Sequence, residues 1–130
     1  MNYASAIQWL YTQLPMYQRV GKAALNSNLD GISKLSKHLG NPHQKFKSVH
    51  IAGTNGKGSS AHMLASVLQQ AGYKVGLYTS PHLKDFSERI RINGIPIDRD
   101  YTLDFVVSNR KFFEQEAFSF FEMTVGLLTQ

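Results

Sequence analysis

Cysteine is absent from the 130-residue sequence, which removes both a disulfide framework and thiolate metal ligands. No apolar run approaches the roughly 18 residues that a membrane-spanning helix needs. The N-terminus has no basic segment leading into an apolar core, so no secretory signal is expected. Cytoplasmic residence without a membrane partner is the resulting expectation. Internal repeats, low-complexity stretches and five-residue cationic blocks are also missing. Fourteen Lys+Arg against nine Asp+Glu give a formal charge of +5, but the cations are scattered singly. That favours an ordinary basic protein, or one with an anionic small ligand, over a nucleic-acid partner. The five histidines show no spacing typical of a zinc site. The length suits one compact core and is short for two ordinary domains.

What is present alternates between helical and strand signals. Tyr3, Ile7, Leu10 and Leu14 recur at helical spacing up to Pro15, with Tyr3, Trp9 and Tyr11 as core candidates. Gln18 to Asn28 reads as a polar loop. Ile32, Leu35 and Leu39 mark a second helix, with Asp30 near its start and Gly40 as its stop. Asn41-Pro42 turns the chain. Ser48 to Ala52 reads as a short buried strand and runs into a Gly-rich turn. Ala61, Leu64, Ala65, Leu68 and Ala71 then form one apolar helical face closed by Gly72, and Lys74 to Thr79 supplies another strand. Strand, turn, helix and strand over 48–79 predict a βαβ unit in an α/β fold with a parallel sheet. His50 and His62 lie on that unit and read as structural. Asn93-Gly94, between Arg89–Ile92 and Ile95–Ile97, is a hairpin signal, and Pro96 places its second strand at an edge. Asp98 is a cap for a helix carrying Leu103, Val106 and Val107. Phe120 to Leu128 reads as a buried helix, and the chain is expected to end inside a structural element, as a fragment would.

The Gly-rich turn, Gly53-Thr54-Asn55-Gly56-Lys57-Gly58-Ser59, carries the chemistry. Phosphate binding after a strand needs a backbone that curls to converge its N–H groups, which glycines allow. It also needs a helix N-terminus facing the anion. A lysine and a hydroxyl must reach the phosphates and their metal, and Lys57 and Ser59 are placed to do so. The plain alternative is a Gly-rich turn such as any α/β protein contains. The common Walker spacing would put glycine where Ile51 stands, and serine or threonine where Gly58 stands.

These departures resemble the Mur ligase variant of the P-loop, with Gly58 pointing to its folate branch. Further motifs follow in order: Tyr78-Thr79-Ser80-Pro81-His82-Leu83, Phe86-Ser87-Glu88-Arg89-Ile90-Arg91-Ile92-Asn93-Gly94 and Phe120-Phe121-Glu122. Together they resemble the folylpolyglutamate synthase/dihydrofolate synthase family. The resemblance implies a P-loop, NTPase-like central domain, here incomplete. Residues 1–130 would be the N-terminal part of the ATP-binding domain, without the C-terminal domain.

The resemblance further implies a ligase that uses ATP and Mg2+ to join glutamate to a folate or dihydropteroate carboxylate through an acyl phosphate. Gly53, Thr54, Asn55, Gly56, Lys57, Gly58 and Ser59 would wrap ATP, with Lys57 also catalytic. Ser80 matches a magnesium-ligating position, although a turn before Pro81 explains it equally. Ser119, Phe120, Phe121 and Glu122 match a substrate-side segment; core packing is the other reading for the two phenylalanines. Glu122, an acid in an apolar run, needs a partner or a ligand. His82 is a candidate contact to substrate or phosphate, or a loop residue. The segment around Asn26, Ser27 and Asn28 corresponds weakly to another substrate-side loop. The remaining magnesium ligands, a later Gly-rich loop and a modified lysine are expected outside these residues. The isolated chain would therefore bind ATP weakly without turnover, and its last helix would expose apolar surface that favours self-association. Rival readings are a UDP-sugar peptide ligase of the Mur type, a small P-loop kinase, and an inert nucleotide-binding module.

Overall fold

A computed structural model describes residues 1–12 and 29–130. The polar loop at Gln18–Asn28, with Leu14 and Pro15, lies outside the described residues. The helices are α1 (Tyr3–Thr12), α2 (Asp30–His38), α3 (Lys57–Gln70), α4 (Arg99–Gln115) and α5 (Phe120–Thr129). The strands are β1 (Gly76–Tyr78), β2 (Ile90–Ile92) and β3 (Ile95–Pro96), and short 3-10 turns cover Pro42–Gln44 and Phe86–Arg89. Where the length suggests a single core, the contacts divide the chain into two compact units, residues 1–47 with 100–130 and residues 48–99.

The first unit is helical. Ala6 and Leu10 from α1, Leu35 from α2, Phe105, Val106 and Phe113 from α4, and Met123 and Leu127 from α5 form its buried core with Phe118. Aromatic rings dominate it: Phe113 meets Trp9 at 6.3 Å, Phe105 at 5.8 Å and Phe118 at 5.8 Å between centroids. Such offset and edge-on pairs add to the area they bury. The pattern expected on α4 is off by one step. Val106 is buried, but Val107 is 53% exposed and Thr102 takes a core position, because the face is set by Phe105 and Phe113. Gly126 lets α2 and α5 approach: a Cβ there would lie 3.0 Å from Leu35 Cδ2 and 3.2 Å from Leu39 Cδ1. Met123, Gly126 and Leu127 of α5 are buried, while Phe121 is 61% exposed.

The second unit holds α3 and a three-stranded antiparallel sheet ordered β1-β2-β3. The expected hairpin forms, pairing Ile92 with Ile95 and Arg91 with Pro96. Asn93 and Gly94 both take positive φ, 49° and 80°, as a tight primed turn requires. Asn93 is held from both sides: its N–H donates to the Val75 carbonyl at 2.9 Å, and its Oδ1 accepts the Val75 N–H at 2.8 Å. β2 pairs with β1, Leu77 opposite Arg91.

The parallel sheet expected over 48–79 is not formed among the described residues. Ser48–Ala52 is assigned no strand, and Val49 is 68% exposed. A strand exists only through ladder bonds to a neighbour, and none of the described strands pairs with this segment. The predicted α3 face is in the expected place. Ala61, Leu64, Ala65 and Leu68 are half-buried, yet no residue of α3 is fully buried. On the other side, Met63 and Val67 are 63% and 65% exposed.

Candidate functional site

The turn before α3 is shaped by Gly56. Its φ of 75° is left-handed, a conformation that costs a residue with a Cβ about 1–2 kcal/mol. Gly56 is also the N-cap, so no side chain caps the helix. The first intrahelical bond of this turn runs from the Ser60 N–H to the Gly56 carbonyl at 2.9 Å. By helix geometry the N–H groups of Lys57, Gly58 and Ser59 have no intrahelical acceptor, and the dipole places partial positive charge on them. α5 is built the other way. Ser119 Oγ accepts the Glu122 N–H at 3.2 Å, and Glu122 Oε2 accepts the Ser119 N–H at 2.8 Å, closing a capping box. One helix start is sealed by its own side chains, and the other is left to an outside acceptor.

All residues of Gly53–Ser59 are exposed. Lys57 folds back so that Nζ donates to the Thr54 carbonyl at 3.4 Å, a long bond that an anion can replace. A Cβ added to Gly58 would meet nothing within 4 Å. The fold therefore has no need of glycine there, whereas a ligand approaching the backbone would. The donor set fits a polyphosphate on these grounds.

Ser80 and His82 are brought together by Arg89. Its Nη1 donates to Ser80 Oγ at 3.2 Å and its Nε to His82 Nδ1 at 2.8 Å. Ser80 is a hard oxygen donor suited to magnesium, and a hydroxyl oxygen keeps a second lone pair beside the one given to Arg89. A bare dication next to the guanidinium is opposed electrostatically. A metal arriving with phosphate oxygens brings the negative charge that offsets this.

The loop that carries these residues is ordered by two acids. Asp85 Oδ1 accepts the Ser87 N–H at 2.9 Å. The Glu88 carboxylate accepts the N–H groups of Asp85, Lys84 and Leu83 at 2.9, 3.0 and 3.1 Å. Those backbone bonds, that from Asp85 foremost, hold the Glu88 carboxyl below the usual carboxylate range. Arg99 adds an ion pair to Asp85 at 2.8 Å. Sequence reasoning did not single out Asp85, Glu88 or Arg89 as a group. The Asp85-x-x-Glu88 spacing of a capping box was the available signal.

The substrate-side candidates separate. Glu122 is buried and serves the α5 cap, which answers the demand for a partner without a ligand. Ser119 is its N-cap partner. Phe120 stacks on Tyr11 at 5.2 Å, and Phe121 is 61% exposed. These four residues belong to the helical unit, and Gly53–Ser59, Ser80 and His82 to the other. Asn26, Ser27 and Asn28 lie outside the described residues. Among the described residues no three His, Asp or Glu side chains gather as a metal cluster, and no helix is long and apolar enough to cross a membrane.

No protein-family model matches the chain. It is 42% identical over 101 residues to the dihydrofolate synthase/folylpolyglutamate synthase of Bacillus subtilis, covering 77% of this chain and 22% of that protein. Folylpolyglutamate synthase from Thermotoga maritima superposes with a TM-score of 0.82 at 34% identity, over 98% of this chain and 29% of that one. A folylpolyglutamate synthase complex with AMPPCP and folate gives a TM-score of 0.82 at 34% identity, over 99% of this chain and 32% of that one. The chain thus spans about a fifth of the length of the curated relative and about a third of the solved ones.

Proposed function

Because the chain belongs, over the residues it spans, to the folylpolyglutamate synthase/dihydrofolate synthase family, we propose that it supplies the phosphate-binding part of an ATP-dependent carbon–nitrogen ligase. The reaction joins the amino group of glutamate to a carboxylate of folate or dihydropteroate. A carboxylate is a poor electrophile until an oxygen becomes a good leaving group, so ATP first converts it to an acyl phosphate. Glutamate then displaces phosphate and forms the amide. The observation that carries this reading is the start of α3, capped by a left-handed glycine and by no side chain, with Lys57 beside it. The AMPPCP and folate bound by a structural neighbour support the same pair of ligands here.

In this reading the N–H groups of Lys57, Gly58 and Ser59 hold phosphate oxygens, and Gly53, Thr54 and Asn55 complete the loop. Lys57 releases the Thr54 carbonyl and neutralises phosphate charge, the kind of fixed cation that phosphoryl transfer uses. Ser80 offers an oxygen to Mg2+, which when bound neutralises charge as the phosphoryl group moves. His82 meets an oxygen of substrate or phosphate, and exposed Phe121 offers a ring to the flat pterin. The parallel P-loop sheet belongs to the same proposal, with Ser48–Ala52 as a strand once a neighbour is supplied.

Calorimetric titration with Mg-ATP tests the reading. The expected result is saturable binding that Lys57→Ala loses. Equal binding by both proteins would remove Lys57 as the phosphate lysine. The 130-residue chain is expected to bind without turnover, and glutamate-dependent phosphate release by it would overturn that part.

A further inference from the structure

We infer that Arg89 is the positioning residue of the Ser80–His82 turn, holding the His82 ring with Nδ1 as the acceptor of its guanidinium and the ring N–H on Nε2. A guanidinium donates and never accepts. Arg89 Nε donates to His82 Nδ1 at 2.8 Å, so Nδ1 contributes its lone pair and the ring N–H falls to Nε2. The same planar fork reaches Ser80 Oγ through Nη1 at 3.2 Å, which ties the two side chains to one rigid group. The guanidinium carbon lies 6.0 Å from the centroid of the Phe86 ring, and His82 meets that ring edge-on at 6.5 Å. Phe86 is 3% exposed, so it is a fixed wall for both.

Arg89 is itself held. Its carbonyl accepts the Thr79 N–H at 2.9 Å beyond the end of β1. It closes the short helix that Asp85 and Glu88 cap reciprocally. The backbone therefore aims the guanidinium before any ligand arrives, and the guanidinium sets the proton of His82. The chemical consequence is selective. An Nε2–H is a donor for a carboxylate or phosphate oxygen, and in that state it is not a metal ligand. What His82 meets rests on the ligase reading, and there it is an oxyanion of the substrates, while metal ligation falls to Ser80. Lysine cannot stand in for Arg89, because one ammonium lacks the planar fork that serves both acceptors.

Long-range 15N–1H spectra of the histidine rings, recorded on the ligand-free protein, test this directly. In the unaltered protein His82 should show one tautomer with the proton on Nε2. In Arg89→Leu the two ring nitrogens should move toward a common averaged shift, and Arg89→Lys should fail to restore the single tautomer. A proton on Nδ1 or an averaged ring in the unaltered protein overturns the proposal, whatever the variants do. An unchanged tautomer in Arg89→Leu, or full restoration by Arg89→Lys, overturns it as well. Mg-ATP titration of the same samples separates the two questions: lack of binding in the unaltered protein counts against the ligase reading, and the ring spectra alone decide the role of Arg89.

Discussion

A Gly58→Ala substitution adds a methyl group one residue beyond Lys57, in the first turn of α3. Beyond its chain neighbours and the backbone of its own helix, no atom lies within 4 Å of the added carbon, and Gly58 is not among the glycines with positive φ. Neither sterics nor backbone conformation opposes the change. Alanine is the better helix former by up to about 1 kcal/mol, so the fold should be unchanged or slightly firmer. The melting temperature should rise by at most a few degrees. The effect on Mg-ATP has the opposite sign. If phosphate oxygens sit against the backbone, the methyl occupies their space, and overpacking of that kind costs about 1–3 kcal/mol. This corresponds to roughly 5- to 150-fold weaker binding. Thermal melting and calorimetry on one preparation read both signs. Unchanged affinity would refute close approach of the phosphates to Gly58, and a fall in melting temperature would refute the claim that the fold does not need this glycine. Gly56 is a poorer probe, because its φ of 75° strains any replacement and confuses the two effects.

Other outcomes follow from single contacts. Gly126→Ala drives a methyl to 3.0 Å from Leu35 and 3.2 Å from Leu39, so denaturant unfolding should show a loss of about 1–3 kcal/mol; a neutral result would mean that α2 and α5 are not closely packed. Ser119→Ala removes the α5 cap and should cost about 1 kcal/mol by the same measurement, with Mg-ATP affinity unaltered. The lowered pKa of Glu88 means that its stabilisation of the 82–89 turn is complete above the unfolded carboxylate pKa. It is lost as pH falls through the still lower folded value. Amide exchange at Leu83, Lys84 and Asp85 should therefore speed up below the ordinary carboxylate range, and Glu88→Gln should abolish that pH step. The same pH profile in the variant would refute the assignment.

Local chemistry was legible from the residues alone. Asn93-Gly94 specified its hairpin because few residues adopt two successive positive φ values. Gly40 and Gly72, both with positive φ, ended their helices as read. The Gly-rich turn and the start of α3 after it were legible for the same reason, since glycine spacing and a following helix are local requirements. The Ser119-x-x-Glu122 spacing is local as well, and the capping box it closes is the partner that an acid in an apolar run requires. Tertiary structure decided what depends on distant partners. Ser48–Ala52 has strand composition, but a ladder needs a second chain segment, so composition alone could not make it a strand. Val107 lost its core place because Phe105 and Phe113 turned α4. Arg89 was one cation among fourteen Lys and Arg until folding set its guanidinium between Ser80 and His82. Periodicity and turn chemistry act over a few residues and are written in order along the chain. Pairing, burial and proton placement depend on which groups meet across the fold.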